Sequence, residues 1–389
     1  MELLSEYVAA IASNGISQHS ELWHVEKQFT IGGSSIAAIL GLNPYGDKFQ
    51  IIRDRIGLSA KNYSNLSCQW GNLFEELIKV YFEKMNKCTV LGEDLYIRGE
   101  ESAYWGHPNA RDIAYSPDGL TVCNGKIVLC EFKCPQSRIP VGGPPKYYVP
   151  QVKMGLDMIP IAEIGVLVEA VYRRCTWDQL GLSGEYDLTL VPRPLAKKPS
   201  VLAYGIIGFY YVESANAKDN AIPTSINWPA TACAYMEKYG ANGDETNDFT
   251  SNDLGDCDVD LFKMLMNAYD AGVLAAWYGP THVVNGDGGG TDAANAANAA
   301  NTALTCDEDL AAFTEFCRAG NKGNFGILPW KLFQYVEHWI EKTPDFLVPW
   351  MDEINRITNC VRECNDGGKK DNSAITAIYN QYIENEVYG

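Results

Sequence analysis

The residues with the clearest chemical potential sit in one stretch, SPDGLTVCNGKIVLCEFKCP, from Ser116 to Pro135. Asn124-Gly125 is a preferred pair for a two-residue type I′ hairpin turn, because both positions need positive φ. Pairing outward from Cys123 and Lys126 brings Asp118 opposite Glu131. Alternation along the ladder makes this a non-hydrogen-bonded pair, with α-carbons about 4.5 Å apart. Two carboxylates so placed repel each other. A bound divalent cation would turn that repulsion into a binding site. Ile127, Leu129, Glu131 and Lys133 share one strand face, and Val128, Cys130 and Phe132 share the other. Lys133 is thus a neighbour of Glu131, about 6–7 Å along the strand. A lysine beside a metal-carboxylate site can orient a water, help deprotonate it, or hold a phosphate. A bulge at Gly119 would shift the pairing by one residue. Strand charges commonly just face water; here the apolar flanks predict a hairpin central to its sheet.

Other elements must bring further groups to this hairpin. Residues 1–45 read as helical pieces ending in a Gly-Leu-Asn-Pro-Tyr-Gly turn. Ile36, Ala37, Ile39 and Leu40 form a short apolar helix after Ser34, with Gly41 at its C-terminal end. Residues 70–86 carry an amphipathic stripe of Leu73, Phe74, Leu77, Ile78, Tyr81 and Phe82. Residues 110–133 read as a hairpin, 148–158 as a helix, and 162–173 and 203–212 as strands. Helices are expected over 228–239, 258–278, 345–364 and 373–386; periodicity does not decide between helix and strand for 329–340. The stretch DAANAANAANTA follows NGDGGG, so 282–303 is expected to be a mobile loop. The chain therefore divides into a core over 1–212, a mostly helical acidic insertion over 213–328, and a C-terminal segment, 329–389, that packs back on the core. No repeat of solenoid length is present.

Composition narrows the class. The chain has 389 residues, 46% of them hydrophobic, enough for a sizeable core. No apolar run would span a bilayer, and the N-terminus lacks the basic segment of a signal peptide, so a soluble intracellular protein without membrane partners is expected. The net charge of −18 is unevenly spread. Residues 1–215 hold 20 Lys+Arg against 23 Asp+Glu, whereas the remainder holds 11 against 26. The acidity of the second half leaves room for a local basic groove in the first. The 12 cysteines form no C-x-x-C pair, which argues against a zinc finger. Buried free thiols are expected, with an iron–sulfur cluster held by distant cysteines as an alternative.

Four short motifs, in order, resemble the lambda-exonuclease family of viral and phage alkaline exonucleases, within the PD-(D/E)XK nucleases. Ser116-Pro117-Asp118-Gly119 with Glu131-Phe132-Lys133-Cys134-Pro135 is similar to that family's core motif. Trp70-Gly71-Asn72-Leu73-Phe74-Glu75 resembles its G-x-x-x-E helix, and Tyr148-Val149-Pro150-Gln151-Val152 its Y-x-x-Q helix. Ile31-Gly32-Gly33-Ser34-Ser35 resembles its N-terminal serine motif. The likeness runs over about residues 24–155 and fades beyond 212.

The resemblance implies an α/β fold, a restriction-endonuclease-like core with a central mixed β-sheet flanked by helices, plus a helical C-terminal elaboration. It implies that Asp118, Glu131 and the Phe132 carbonyl bind Mg²⁺, with Mn²⁺ as a substitute, and that Glu75 holds a second ion. Lys133 would position the attacking water and Gln151 would steady the site. Ser34, Ser116 and Gln151 would form a pocket for a 5′-terminal phosphate. Lys27 stands where that family has an arginine, which exchanges a bidentate fork for a point charge. Without the resemblance, Glu75 would be an ordinary exposed helix glutamate, Ser34 a helix cap, and Lys27 a surface lysine. Lys48, Arg53, Arg55, Arg173 and Arg174 are candidate contacts to the DNA backbone. The implied activity is a 5′→3′ exonuclease on duplex DNA ends, with a recombinase or single-strand-binding partner and a homo-oligomeric ring as possibilities. An endonuclease on branched DNA or RNA, and a non-catalytic nucleic-acid-binding module, are the alternatives.

Overall fold

Asn124 and Gly125 adopt φ of 52° and 78°, as a type I′ turn requires, and a hairpin forms there. The computed structural model describes residues 1–58, 66–181, 201–212, 254, 259–284, 306–320, 322–368 and 371–387. The hairpin strands are β3 (Gly119–Cys123) and β4 (Lys126–Lys133). Before them, β1 (Ile97–Arg98) and β2 (Ala114–Tyr115) pair as a separate two-stranded sheet. The expected hairpin over 110–133 is thus confined to 119–133.

The main sheet is mixed. Its order is β3-β4-β5-β9-β6-β7, with β5 at Ile164–Arg174, β6 at Ala203–Tyr211, β7 at Leu274–Tyr278 and β9 at Asn324–Glu341. A short strand, β8 (His282–Val283), also pairs with β6. β4 and β5 run parallel, and the other neighbours run antiparallel. Parallel neighbours need a crossover, which includes helix α6 (Val149–Met158). The hairpin is not central, because β3 is an edge strand. Its flanks are apolar because helices cover both sheet faces, and a bridge from Leu91 to Leu120 shields the edge.

Strand alternation sorts the core into two layers. On one face, Leu120, Leu129 and Leu167 pack with α1 (Glu2–Ala12), α3 (Gly33–Ile39), α4 (Lys48–Arg55) and α6. The C-terminal helices α10 (Met351–Asp366) and α11 (Asn372–Val387) join the same layer through Ile354, Ile357, Val361, Ile375 and Ile378. On the other face, Val128, Cys130, Phe132, Val168 and Tyr172 meet α5 (Leu66–Asn86) and α8 (Val259–Asp270). The stripe read from the sequence, Leu73 to Phe82, is the buried face of α5.

Several segments depart from their expected form. The helix expected over 258–278 stops at Asp270; Gly272, at φ 70°, turns the chain, and 274–278 is a strand. Residues 282–283 pair with β6 rather than starting a loop, and 285–305 lie outside the described residues, as does the helix expected over 228–239. Residues 329–340 are strand, held between β5 and β6 by ladders on both sides. The division at 328/329 falls inside β9, and β7 and β8 complete the sheet begun by residues 1–212. The described part of 213–328 is therefore built into the core sheet. α2 (Glu21–Phe29) and α9 (Asp307–Ala319) complete the elements used below. Among the described residues, no helix is long and apolar enough to cross a membrane. Ten of the cysteines are described as free thiols, eight of them buried, and no group of three cysteines converges among the described residues.

Candidate active site

The ladder register agrees with the sequence reading from Cys123↔Lys126 out to Gly119↔Cys130. It stops there. Asp118 lies in a bend, and its carboxylate accepts the Phe132 N–H at 2.7 Å. The expected face-to-face pair of carboxylates is thus replaced by a side chain that caps the end of β4. Gly119 sits so tightly against the chain before β3 that a Cβ there would lie 2.1 Å from Val90 Cγ1. That contact closes the ladder at Gly119 and frees Asp118 to turn.

Glu131 is fully buried. Its carboxylate takes hydrogen bonds from Tyr115 Oη at 3.1 Å, from Lys133 Nζ and from Gln151 Nε2. Lys133 Nζ also stands 3.9 Å from Asp118. Two glycines let these groups meet. A Cβ on Gly33 would lie 2.6 Å from the Tyr115 ring and 3.0 Å from Gln151, and one on Gly155 would lie 2.4 Å from the same tyrosine. So α3 and α6 close on Tyr115 and aim its hydroxyl at Glu131. Glu75, half-buried on α5, faces the cluster from the opposite sheet layer.

The electrostatics are unbalanced. Burial, then the Asp118 charge, pushes Glu131 up to about 7, despite the offsetting Lys133 ion pair. Burial and Asp118 push Glu75 up to about 8. Burial alone would lower Lys133, yet Glu131 and Asp118 hold it well above the ordinary lysine value. One ammonium thus serves three carboxyl groups, and Lys133 is a charged donor rather than a base. The ligand oxygens of Asp118, Glu131 and Glu75 do not converge as a trio within 4.8 Å. Each has protein or charge partners instead. The donor set fits a hard divalent cation: it is all oxygen, carries surplus negative charge and lies at a strand end.

The residues expected at a phosphate pocket fall into two groups. Ser116 Oγ accepts Trp23 Nε1 at 3.2 Å, and Lys27 Nζ stands 4.0 Å over the Trp23 ring. Lys27 also lines a cavity of about 380 Å³ with His24, Gln28, Ser35, Ile51, Asp54 and Arg55. Ser34 is exposed in the first turn of α3 and makes no side-chain cap; Gly32 is the capping position. It adjoins Gly33, the residue pressed on Gln151, so the two groups meet at the start of α3.

Of the five cations considered for DNA contact, Arg55 reaches that cavity: its guanidinium bonds the Lys27 carbonyl. Burial pushes Arg55 down to about 10, and burial with the Arg55 charge lowers Lys27. The other four are engaged within the fold. Arg173 and Arg174 are each 1% exposed, and their guanidinium groups bond the carbonyls of Tyr172 and Leu254. Lys48 pairs with Glu353 at 2.6 Å, and Arg53 bonds Gln50 within α4. Sequence reasoning missed Tyr115, and also Glu169, which lies beside Lys133 in register and binds Arg138 and His338. A lone tyrosine or strand glutamate carries no local signal; only the packing of α3 and α6 gives Tyr115 its role.

The segment that holds this cluster is similar to known proteins. Residues 22–158 match the YqaJ-like viral recombinase domain. "Protein D345L" of African swine fever virus, isolate Tick/South Africa/Pretoriuskop Pr4/1996, is 35% identical over 207 residues, 49% of this chain and 59% of that protein. The same protein from strain Badajoz 1971 Vero-adapted is 34% identical over the same shares. This chain thus spans less than two thirds of the length of those relatives. A solved alkaline exonuclease (LHK-Exo) from Laribacter hongkongensis aligns with 39% of this chain and 74% of its own, at 19% identity and a TM-score of 0.30. The segment that resembles the YqaJ-like viral recombinase domain, residues 22–158, contains Glu75, Asp118, Glu131, Lys133 and Gln151.

Proposed function

We propose that this protein is a metal-dependent DNA nuclease, an exonuclease that enters at duplex ends and degrades 5′→3′ in recombination or repair. The observation that carries the reading is the cluster at the end of β4: two further carboxyl groups, one lysine and one glutamine around the buried Glu131. A purely structural site would balance those charges.

Asp118 and Glu131, with the Phe132 carbonyl, would hold Mg²⁺ or Mn²⁺, and Glu75 a second ion. Such ions supply a polarised phosphate and a water of lowered pKa. Tyr115 and Gln151 fix the Glu131 carboxylate so that its oxygens need not reorganise as charge builds. Lys133, held protonated, orients the water or the scissile phosphate. Lys27 and Arg55, with Ser34, Ser116 and Gln151, would receive a terminal 5′-phosphate. Arg55 supplies the guanidinium that Lys27 lacks.

The test is digestion of end-labelled linear duplexes, with and without a 5′-phosphate, in Mg²⁺ and in chelator. Mg²⁺-dependent release from 5′-phosphorylated ends is expected. Arg55→Met should narrow the preference for a 5′-phosphate by about 10-fold, the worth of one charge-assisted bond. Cleavage of circular or branched substrates with linear duplex left intact would replace the exonuclease by an endonuclease.

A further inference from the structure

A second cluster of ligand-type side chains lies away from β4. His282 on β8, Cys306 just before α9 and Asp309 in its first turn bring one donor atom each within 4.8 Å of one another. His282 Nε2 is 2.7 Å from Asp309 Oδ2, and the Cys306 thiol also bonds that carboxylate. Cys306 is 2% exposed and Asp309 5%. The Tyr204 ring stacks on the imidazole at 5.0 Å and 21°, which fixes its plane. Cys175 packs in the same buried cluster as Cys306. β8 is joined to β6, which lies three strand spacings from β4, on the order of 14 Å.

We propose that His282, Cys306 and Asp309 form a zinc site that ties β8 to α9, separate from the catalytic carboxylates. The chemistry of the donors selects the ion. Imidazole, thiolate and carboxylate together suit Zn²⁺, whereas Mg²⁺ takes oxygen alone. Tetrahedral zinc with these ligands sets donor atoms about 3.3–3.7 Å apart. The His282–Asp309 separation of 2.7 Å lies below that range and all three donors lie within 4.8 Å, so side-chain adjustment would close the shell. Water supplies the fourth ligand. A catalytic thiol is excluded, because so buried a sulfur meets no substrate. Binding releases the Cys306 proton to solvent and leaves a zinc–thiolate bond, with no change of oxidation state.

The site is tested on the full-length, untagged protein. Elemental analysis should find near-equimolar zinc after purification without added metal. Replacement by Co²⁺ should produce a thiolate-to-cobalt charge-transfer band in the near ultraviolet, which carboxylate-bound cobalt cannot give. Cys306→Ser should abolish the band. His282→Gln, at a part-exposed position that need not disturb folding, should weaken zinc affinity at least ~10-fold. Metal-free protein with no thiolate band on titration would overturn the proposal, leaving a plain hydrogen-bonded His-Asp-Cys chain. So would a band that survives Cys306→Ser. None of these measurements uses DNA cleavage, so their failure leaves the proposed nuclease activity untouched.

Discussion

Two glutamates on the same sheet layer, Glu131 buried and Glu353 half-buried, have opposite electrostatic fates. Glu131 at the end of β4 shares one lysine with Asp118 and Glu75, and burial with the Asp118 charge raises it. Glu353 on α10 faces Lys48, Arg356 and Tyr379. Burial alone would raise it too, but those donors outweigh burial and hold it below the ordinary value. Nearby, fully buried Asp112 is matched by Arg362 at 2.6 Å and Asn355 at 2.7 Å. The C-terminal helices are thus pinned by saturated ion pairs. The β4 cluster is left short of positive charge. Matched charge marks a joint, and unmatched charge marks a place that expects a further cation or phosphate.

The sharpest way to break this comparison is to cut both clusters. Glu131→Gln or Lys133→Ala should lower Mg²⁺-dependent DNA cleavage by about 10²–10⁴-fold, measured on end-labelled duplex. Near wild-type rates in both variants would end the catalytic reading. Arg362→Met should do the reverse. It leaves a buried Asp112 short of its cation and should cost about 3 kcal/mol of stability in denaturant titration, with cleavage per folded molecule unchanged.

Smaller effects sharpen the contrast. In chelator, the raised values of Glu75 and Glu131 mean that the folded state binds more protons than the unfolded one between about 4.5 and 8. Stability from these groups is therefore present below pH 4.5 and is lost as pH rises through 7 to 8. The melting temperature of metal-free protein should fall over that window, Mg²⁺ should restore it, and Glu75→Gln should flatten the slope. A slope of opposite sign in chelator would contradict the charge imbalance. Least of all, Lys48→Met should destabilise by about 1 kcal/mol, since that pair is partly exposed and screened; a larger loss of activity than of stability would place Lys48 at the DNA after all.

Much of the N-terminal half was legible because its signals are local. Asn124-Gly125 specifies its turn and hence the register, and a period-two pattern assigns Glu131 and Lys133 to one face. The α5 stripe is a 3.6-residue period over a long helix. The errors fall where local pattern is mute. Arg173 and Arg174 look like surface cations until tertiary packing buries both, with Phe262 of α8 against Arg174. Residues 274–278 look helical until β6 offers them a ladder. Lys48 looks like a DNA contact until α10, some 300 residues on, presents Glu353.

What the sequence alone determined is which groups share the β4 face, because turn chemistry and strand alternation act within a few residues. Only the tertiary structure decided what those groups do. The turn of Asp118 onto Phe132, the hydroxyl of Tyr115 on Glu131 and the pairing of Arg55 with Lys27 arise from contacts between elements far apart in the chain. The opening feature, Asp118 facing Glu131, thus survives as a cluster rather than a pair. Burial among packed helices, not spacing along a strand, sets its charge balance.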